Sequence, residues 1–216
     1  MKVREILVGV VAIAALGAAH SSSAANLIVN GGFEASSDPV TTPPGWTNIG
    51  HMDGVIPYSE FGPTPYEGLN YYDEGGFGDA ANAPGDGIEQ TVNTVAGQRY
   101  TLTFGLSGEN QSGVEIADVM IGSQLTQFTL TPDGTGTFQR PLTKMTISYI
   151  ATGSTTTIAF TTDAASTSFG ANDPMIDGVD FSAVTGAPEP GTWALMLIGF
   201  AGLGIGLRSR RASLAA

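Results

Sequence analysis

The sequence predicts an all-β body folded as an antiparallel β-sandwich or jelly roll. About eight to ten short segments alternate apolar and polar residues and are separated by turn signals. The alternation is clearest in 99–106, where Tyr100, Leu102, Phe104 and Leu106 share one face. The body contains no amphipathic stretch long enough for an ordinary helix, and no repeat of about 20–50 residues that would indicate a solenoid or propeller.

The first 25 residues read as a secretory signal peptide that would form a helix. Lys2 and Arg4 form its basic start, and an apolar stretch follows at 6–19. Small residues precede Asn26, so the mature chain is expected to begin there. The domain that folds is therefore assigned to 26–186, and the segment 187–216 is set apart from it.

Turn and strand signals then divide the body in order. The expected strands are 26–34, 55–58, 69–72, 88–92, 99–106, 114–121, 124–130, 142–151, 155–162 and 175–184. The stretch 46–77 is loop-rich and holds seven of the chain's eighteen aromatic residues. Gly122-Ser123 predicts a hairpin between two of the strands.

The charge is distributed unevenly along the chain. The formal net charge is −12, yet five of the eight basic residues lie in the two ends. Between Asn26 and Pro190 the chain has three basic residues against nineteen acidic ones. Such a body is expected to repel nucleic acid and anionic lipid and to favour cations, of which extracellular calcium is the obvious candidate. The absence of cysteine excludes disulfides and zinc-thiolate sites.

The tail has three parts in a fixed order: a rigid Pro-Glu-Pro, an uncharged apolar run and a basic cluster. The run predicts a transmembrane helix at 192–207, with the arginines held on the cytoplasmic side. The residues that define the pattern are Pro188, Glu189, Pro190, Trp193, Ala194, Arg208, Arg210 and Arg211.

This tail resembles the PEP-CTERM sorting signal in its Pro-Glu-Pro-x-x-Trp-Ala variant. The resemblance implies a Gram-negative bacterium that produces exopolysaccharide and a membrane-embedded exosortase that recognises and cuts the tail. The protein would cross the inner membrane, stay anchored in it transiently and then reach the cell surface or extracellular space. The alternative is an ordinary single-span anchor.

The body carries a second resemblance, to galactose-binding-like jelly rolls, which include many carbohydrate-binding modules. Asn26-Leu-Ile-Val-Asn-Gly-Gly-Phe-Glu34 resembles the opening motif of that family, and Gly45-Trp46 follows as it does there. Residues 96–104 resemble the family's Ala-Gly-x-x-Tyr-x-Leu-x-Phe strand. Ile176-Asp177-Gly178-Val179 is similar to the closing motif, with glycine in place of its usual polar third residue.

The jelly-roll resemblance implies a structural calcium ion. In that family the first and last strands are neighbours, and acids at the positions of Glu34 and Asp177 resemble calcium ligands. Asp180 and Glu67 would add oxygens to such a hard, oxygen-seeking cation. The alternative is that Glu34 caps a turn and Asp177 faces water.

Sugar binding is the corresponding expectation for the loop-rich stretch. Aromatic rings there would stack on sugar rings, and neighbouring polar groups, Gln90 among them, would bind hydroxyls. The alternative is that these rings fill the core. The candidate ligand-binding residues are Trp46, Tyr66, Tyr71, Tyr72 and Asp73.

Catalysis has little support in the sequence. His51 is the only histidine after the signal peptide, and no nucleophile elbow, zinc-binding helix motif or phosphate loop is present. The prediction is a non-enzymatic, exported polysaccharide-binding module of the cell surface or extracellular matrix. The alternatives are a purely structural matrix or adhesion protein without a sugar site, and a glycan hydrolase that acts through carboxylates.

Overall fold

The protein is described by a computed structural model that covers residues 24–36, 41–50, 54–57, 64–74, 85–108, 114–131, 141–165, 174–184 and 196–201. These residues form ten strands. In chain order they are β1 (Thr47–Ile49), β2 (Gly54–Pro57), β3 (Asn70–Asp73), β4 (Gly87–Asn93), β5 (Arg99–Gly108), β6 (Glu115–Ile121), β7 (Gln124–Leu130), β8 (Thr143–Ile150), β9 (Thr155–Thr162) and β10 (Pro174–Ala183).

The strands form two five-stranded antiparallel sheets. Sheet A has the order β1-β4-β9-β6-β7, and sheet B has the order β2-β3-β10-β5-β8. The predicted all-β architecture with two antiparallel sheets is therefore confirmed, and the β6–β7 hairpin turns at Gly122-Ser123 as expected. Gly122 has φ of 58°, a left-handed conformation that glycine adopts without steric cost.

The main apolar core is made by the facing sides of the two sheets, and Tyr71 and Met175 form a second, small cluster. The alternating face of β5 enters this core, where Tyr100, Leu102, Phe104 and Leu106 are all buried. Ile158 and Phe160 approach it from β9 in sheet A. Alternation predicted these strands well because one side of each sheet is buried and the other faces outward.

The opening segment 26–34 is not a strand, so that prediction was wrong. Its hydrogen bonds go to both sheets instead of forming one ladder. Leu27 N donates to Phe181 O in β10 at 2.9 Å, while the side-chain amide of Gln90 in β4 bonds both N and O of Val29 at 2.8 and 3.0 Å. The segment therefore bridges the two sheets. Conversely, the three-residue strand β1 was not predicted.

The two targeting ends lie largely outside the described residues. Of the predicted signal peptide only residues 24 and 25 are described, and of the predicted helix 192–207 only residues 196–201, as one helical turn and a half. Within the described parts of the chain, no helix has the length and apolar character needed to cross a membrane.

Candidate functional site

Three acidic residues from distant parts of the chain meet at a β-bulge in β10, here called the carboxylate junction: Glu34, Glu67 and Asp177. The β5–β10 register shifts between Asp177 and Asp180, and Gly178 has φ of 59°. Asp177 Oδ2 accepts a hydrogen bond from Glu67 N at 2.8 Å, and its Oδ1 accepts one from Gly178 N at 2.6 Å. The bulge thereby turns a strand residue toward the loop 64–69.

Asp177 is fully buried, and its environment favours the protonated form. Burial raises its pKa to about 7, and the negative charge of Glu67 acts in the same direction. Hydrogen bonds from the backbone of Glu67, Gly178 and Tyr66 oppose this rise without cancelling it. No lysine or arginine is among the groups that shift this pKa.

Glu34 ties the opening segment to the same loop. Its Oε1 accepts hydrogen bonds from Leu69 N at 2.7 Å and from Asn70 N at 2.8 Å. Its carboxylate lies directly over Gly68, where a side chain would collide with it. The Glu67 carboxylate lies likewise over Gly32, so that a β-carbon there would lie 2.5 Å from Glu67 Oε1. Both acids are thus held against a glycine on the opposite segment.

The carboxylate junction contains three of the four predicted calcium ligands, but their carboxylates do not surround a common cation position. Among the residues that the structure describes, no group of three or more histidine, aspartate or glutamate side chains is placed to hold a metal ion. Backbone N–H groups instead donate hydrogen bonds to oxygens of Asp177 and Glu34. Asp180, the fourth candidate, pairs with Thr103 beyond the bulge and is not among the groups that perturb Asp177.

Four of the five predicted sugar ligands are buried in the fold. Trp46 packs between Phe33 and Phe160, with ring centroids 5.6 and 6.1 Å away, and its Nε1 donates to Asn30 O at 3.1 Å. Tyr71 and Tyr72 have no exposed surface.

Asp73 is buried beside these tyrosines at the end of β3. The expectation that all four side chains face a ligand must therefore be corrected. Rings of this size supply the core that the sandwich needs, and a buried ring cannot stack on an external sugar.

Tyr66 is the one predicted aromatic ligand with a substantially exposed ring, at 42%. It lies across the outer side of sheet B, over two glycines of neighbouring strands. A β-carbon at Gly105 would lie 2.7 Å from Tyr66 Cβ, and one at Gly178 would lie 2.6 Å from Tyr66 Cδ1. Glycine at these two positions lets the ring rest directly on the strand backbones beside the carboxylate junction.

Gln90 was expected to bind sugar hydroxyls, but in the structure its side chain has a structural role. Its amide is engaged by both backbone groups of Val29, as described above, and its side chain is buried. Its position on the inner side of β4, between Ile88 and Val92, was the signal that it points into the sandwich.

Two further features were not predicted. A cavity of about 370 Å³ opens between β5, β7 and β8, and Leu106, Leu130 and Met145 are among the residues that line it. On the outer side of sheet A, Gln127 Nε2 donates to both Asp118 Oδ1 at 2.9 Å and Asp163 Oδ2 at 3.0 Å. Burial, and then the charge of Asp163, raise the pKa of Asp118. This amide bridge holds the two carboxylates near each other.

Comparisons with known proteins place the two parts of the chain separately. Residues 187–211 match the PEP-CTERM protein-sorting motif. The residues of that motif lie outside the described parts of the chain, except for the short helix at 196–201. No curated protein sequence matches the chain.

Solved structures resemble the body in fold. The xylan-binding CBM22-1 domain of Paenibacillus barcinonensis Xyn10C is 14% identical, with 76% of this chain and 98% of that chain covered and a TM-score of 0.47. The TmCBM61 structure in complex with β-1,4-galactotriose is 16% identical, with 74% and 99% covered and a TM-score of 0.49. An arabinose-bound α-L-arabinofuranosidase, MgGH51, is 12% identical, with 76% and 27% covered and a TM-score of 0.54.

Proposed function

We propose that this chain is an exported, exosortase-sorted protein of a Gram-negative, exopolysaccharide-producing bacterium, destined for the cell surface or extracellular matrix. The single observation that carries the proposal is the match of residues 187–211 to the sorting motif, directly behind a β-sandwich body. The sorting motif implies export and transient anchoring before processing. In the described part of the tail, Met196, Leu197, Ile198 and Phe200 are exposed, which suits a segment meant for lipid.

The intact mass of the surface-located protein tests the sorting step. Cells with and without an exosortase are compared, together with a variant in which Pro188, Glu189 and Pro190 become alanine. We expect export across the inner membrane in every case, and tail removal only with the enzyme and the intact motif. Thr185→Ala, just before the motif, is the matched control and should be processed normally. An intact tail on surface-located wild-type protein would show that the tail is only an anchor.

The finer proposal is that the body is a non-catalytic module that contacts polysaccharide. Its support is the exposed ring of Tyr66 beside Glu67, an aromatic face next to an acid that can accept hydrogen bonds from hydroxyl groups. Binding through a single ring is expected to be weak. The ring rests on Gly105 and Gly178, so its orientation is fixed before any ligand arrives.

Glycan arrays and pull-downs with the host's own polysaccharide test this contact. Tyr66→Ala should lower binding, and Leu125→Ala, which removes an exposed apolar side chain from sheet A, should leave it unchanged. Measurable hydrolysis of any glycan would favour the hydrolase alternative instead.

The competing proposal is a purely structural matrix or adhesion protein. The burial of Trp46, Tyr71 and Tyr72 favours it, because it removes three of the four rings that a binding platform would use. Blank glycan experiments with a correctly folded, correctly exported protein would select this alternative.

We also propose a structural calcium ion at the carboxylate junction. Its support is chemical: Glu34, Glu67 and Asp177 converge on one loop, carboxylates are the preferred ligands of calcium, and a cation would offset the burial of Asp177. Calcium would have to replace some of the hydrogen bonds that backbone N–H groups now donate to the oxygens of Glu34 and Asp177.

Melting of the mature chain with calcium or a chelator tests the ion. Saturation at about 100 times the dissociation constant would add about 2.7 kcal/mol if the unfolded chain binds no calcium. Glu34→Gln should abolish the difference, while Glu89→Gln on β4 should preserve it. An identical melting temperature with and without chelator would remove calcium from the proposal.

A further inference from the structure

The chain enters and leaves the sandwich at the same end. Val184, the last described residue of the body, donates its N–H to Arg99 O at 2.9 Å, and its carbonyl accepts from Gln98 Nε2 at 3.0 Å. The entering segment runs beside the last part of β10, since Leu27 N bonds Phe181 O. Both predicted membrane segments of the precursor are therefore attached to one end of the fold.

This end, here called the exit end, consists of Val184 and the turns at 94–98 and 151–154. The two turns are bonded to each other: Gly97 N donates to Ala151 O at 2.8 Å, and Ala151 N donates to Gln98 O at 3.0 Å. The exit end is thus one continuous surface rather than a set of independent loops.

Large apolar side chains are exposed on and beside the exit end. Val95 is 66% exposed, and Val184 is 41% exposed. Ile150, the last residue of β8 and the register partner of Arg99, is 50% exposed. The hydrogen bonds between these turns and the Arg99–Ile150 pairing place all three residues at the same end of the fold.

The same surface lacks the negative charge that dominates the body. The segments 93–99, 150–155 and 183–184 contain no aspartate or glutamate. Their one charged residue is the exposed Arg99, one of only three basic residues in the body. An anionic surface should therefore repel the described residues of the exit end only weakly.

The length of the connection keeps this end close to the bilayer. Seven residues, 185–191, separate Val184 from the predicted membrane helix at 192–207. Even a fully extended connection of that length spans at most about 25 Å. While the tail remains uncut, the exit end is held within that distance of the membrane at a high effective concentration.

We propose that the exit end is a membrane-contact surface, which rests on the anionic phospholipid surface of the inner membrane while the tail is uncut. The inference rests on the proposed function, which places the tail in that membrane. Three aliphatic side chains and one arginine bind a bilayer weakly and reversibly on their own, because stable attachment requires a second signal. The tail supplies that signal, so cutting the tail also releases the body.

The absence of cysteine makes a site-specific test direct. The mature chain 26–216 is reconstituted in phosphatidylglycerol-containing vesicles with an environment-sensitive fluorophore on Val95→Cys. Met120→Cys, at an exposed position on the outer face of sheet A, is the control. We expect a blue shift and quenching by spin-labelled lipid at position 95 and neither at position 120. Adding Ile150→Glu and Arg99→Gln should abolish the effect at 95 without changing the circular dichroism spectrum.

Each other outcome overturns a definite statement. Vesicle-inserted protein with no shift at position 95, or with equal shifts at 95 and 120, overturns the membrane contact and leaves the sorting proposal intact. A chain that does not insert at all overturns the proposed role of the tail, and the contact with it. A shift at 95 that appears only with co-reconstituted exosortase would assign the surface to the enzyme and overturn the lipid contact.

Discussion

The two ends of the sandwich differ in their content of acidic residues. At the end away from the tail, here called the acidic end, four carboxylates are buried in or beside the first and last residues of strands. The exit end has no acid in its described turns and exposes aliphatic side chains instead. The buried acids are Asp73, Glu74, Asp86 and Glu115.

This difference bears on an expectation drawn from total charge. A net charge of −12 predicts that the whole body avoids anionic lipid. The topology instead gathers the uncharged turns at one end, so repulsion depends on which end faces the membrane. The proposed membrane contact therefore requires that the exit end face the anionic surface.

The largest expected effect on the free energy of unfolding comes from a glycine-to-alanine substitution, which is compared between the two ends. Gly87 lies at the acidic end, and its α-carbon faces the backbone carbonyl of Phe160 so closely that a β-carbon would overlap it. Gly87→Ala should cost about 3 kcal/mol, because two paired strands must separate locally. Gly97 at the exit end has φ of 83° and nothing near its β-carbon position, so Gly97→Ala should cost only about 1 kcal/mol. Urea unfolding measures both, and equal costs would contradict the contrast in packing.

The next effect is a pH dependence that originates between the two ends, at Asp177. Its pKa is 3.8 in the reference state and about 7 in the fold, so the unfolded chain loses this proton first as the pH rises. The free energy of unfolding should therefore fall as the pH rises from roughly 4 to 7, and should level off above that range. The measurement is urea unfolding in chelator across this range.

A matched substitution separates Asp177 from the other acids. Asp177→Asn carries no charge at any pH, so its unfolding free energy should lack this fall. Calcium, by binding the ionised carboxylate, should oppose the fall in the wild-type chain. Parallel pH profiles for wild type and Asp177→Asn would mean that another group is responsible.

Sequence reasoning predicted the long strands because their signal is local. Nine expected strands overlap β2 to β10, since alternation reports directly that one face of each is buried. It failed for 26–34, where the chain bonds to side chains of Asn26 and Gln90 in addition to backbone. It also missed β1, because three residues are too few to show a period.

The site was predicted less well than the fold for a physical reason. Which side of a short strand or loop is buried depends on the elements that the topology packs against it. The local composition does not distinguish a buried aromatic residue from an exposed one. Tyr66 and Tyr71 lie five residues apart in one aromatic stretch, yet one ring is exposed and the other is in the interior. Glu34 and Asp177 both bond backbone N–H groups between residues 67 and 70, and their role as calcium ligands stays a prediction.

A smaller effect is expected from the amide that joins the opening segment to sheet A. Gln90→Leu removes two hydrogen bonds to Val29 while filling similar volume, and should cost about 1.5 kcal/mol. Gln124→Leu is the matched change at an exposed turn, where the amide makes a single 3.4 Å bond to Ser148 O. It should change the unfolding free energy by less than about 0.5 kcal/mol. Equal effects in chemical denaturation would mean that the opening segment contributes little to joining the sheets.

The smallest expected effect on stability tests whether Ile150 at the exit end is a surface residue or a packing residue. Ile147 and Ile150 lie on the same strand, β8, but Ile147 is buried and Ile150 is half-exposed. Ile147→Val should cost about 1 kcal/mol for the methylene group lost from the core. Ile150→Val should stay within about 0.3 kcal/mol, because its side chain gains little from folding. If urea unfolding gave the same loss of stability for both variants, Ile150 would contribute to packing of the sandwich. It would then not be a free surface residue available for contact with a membrane.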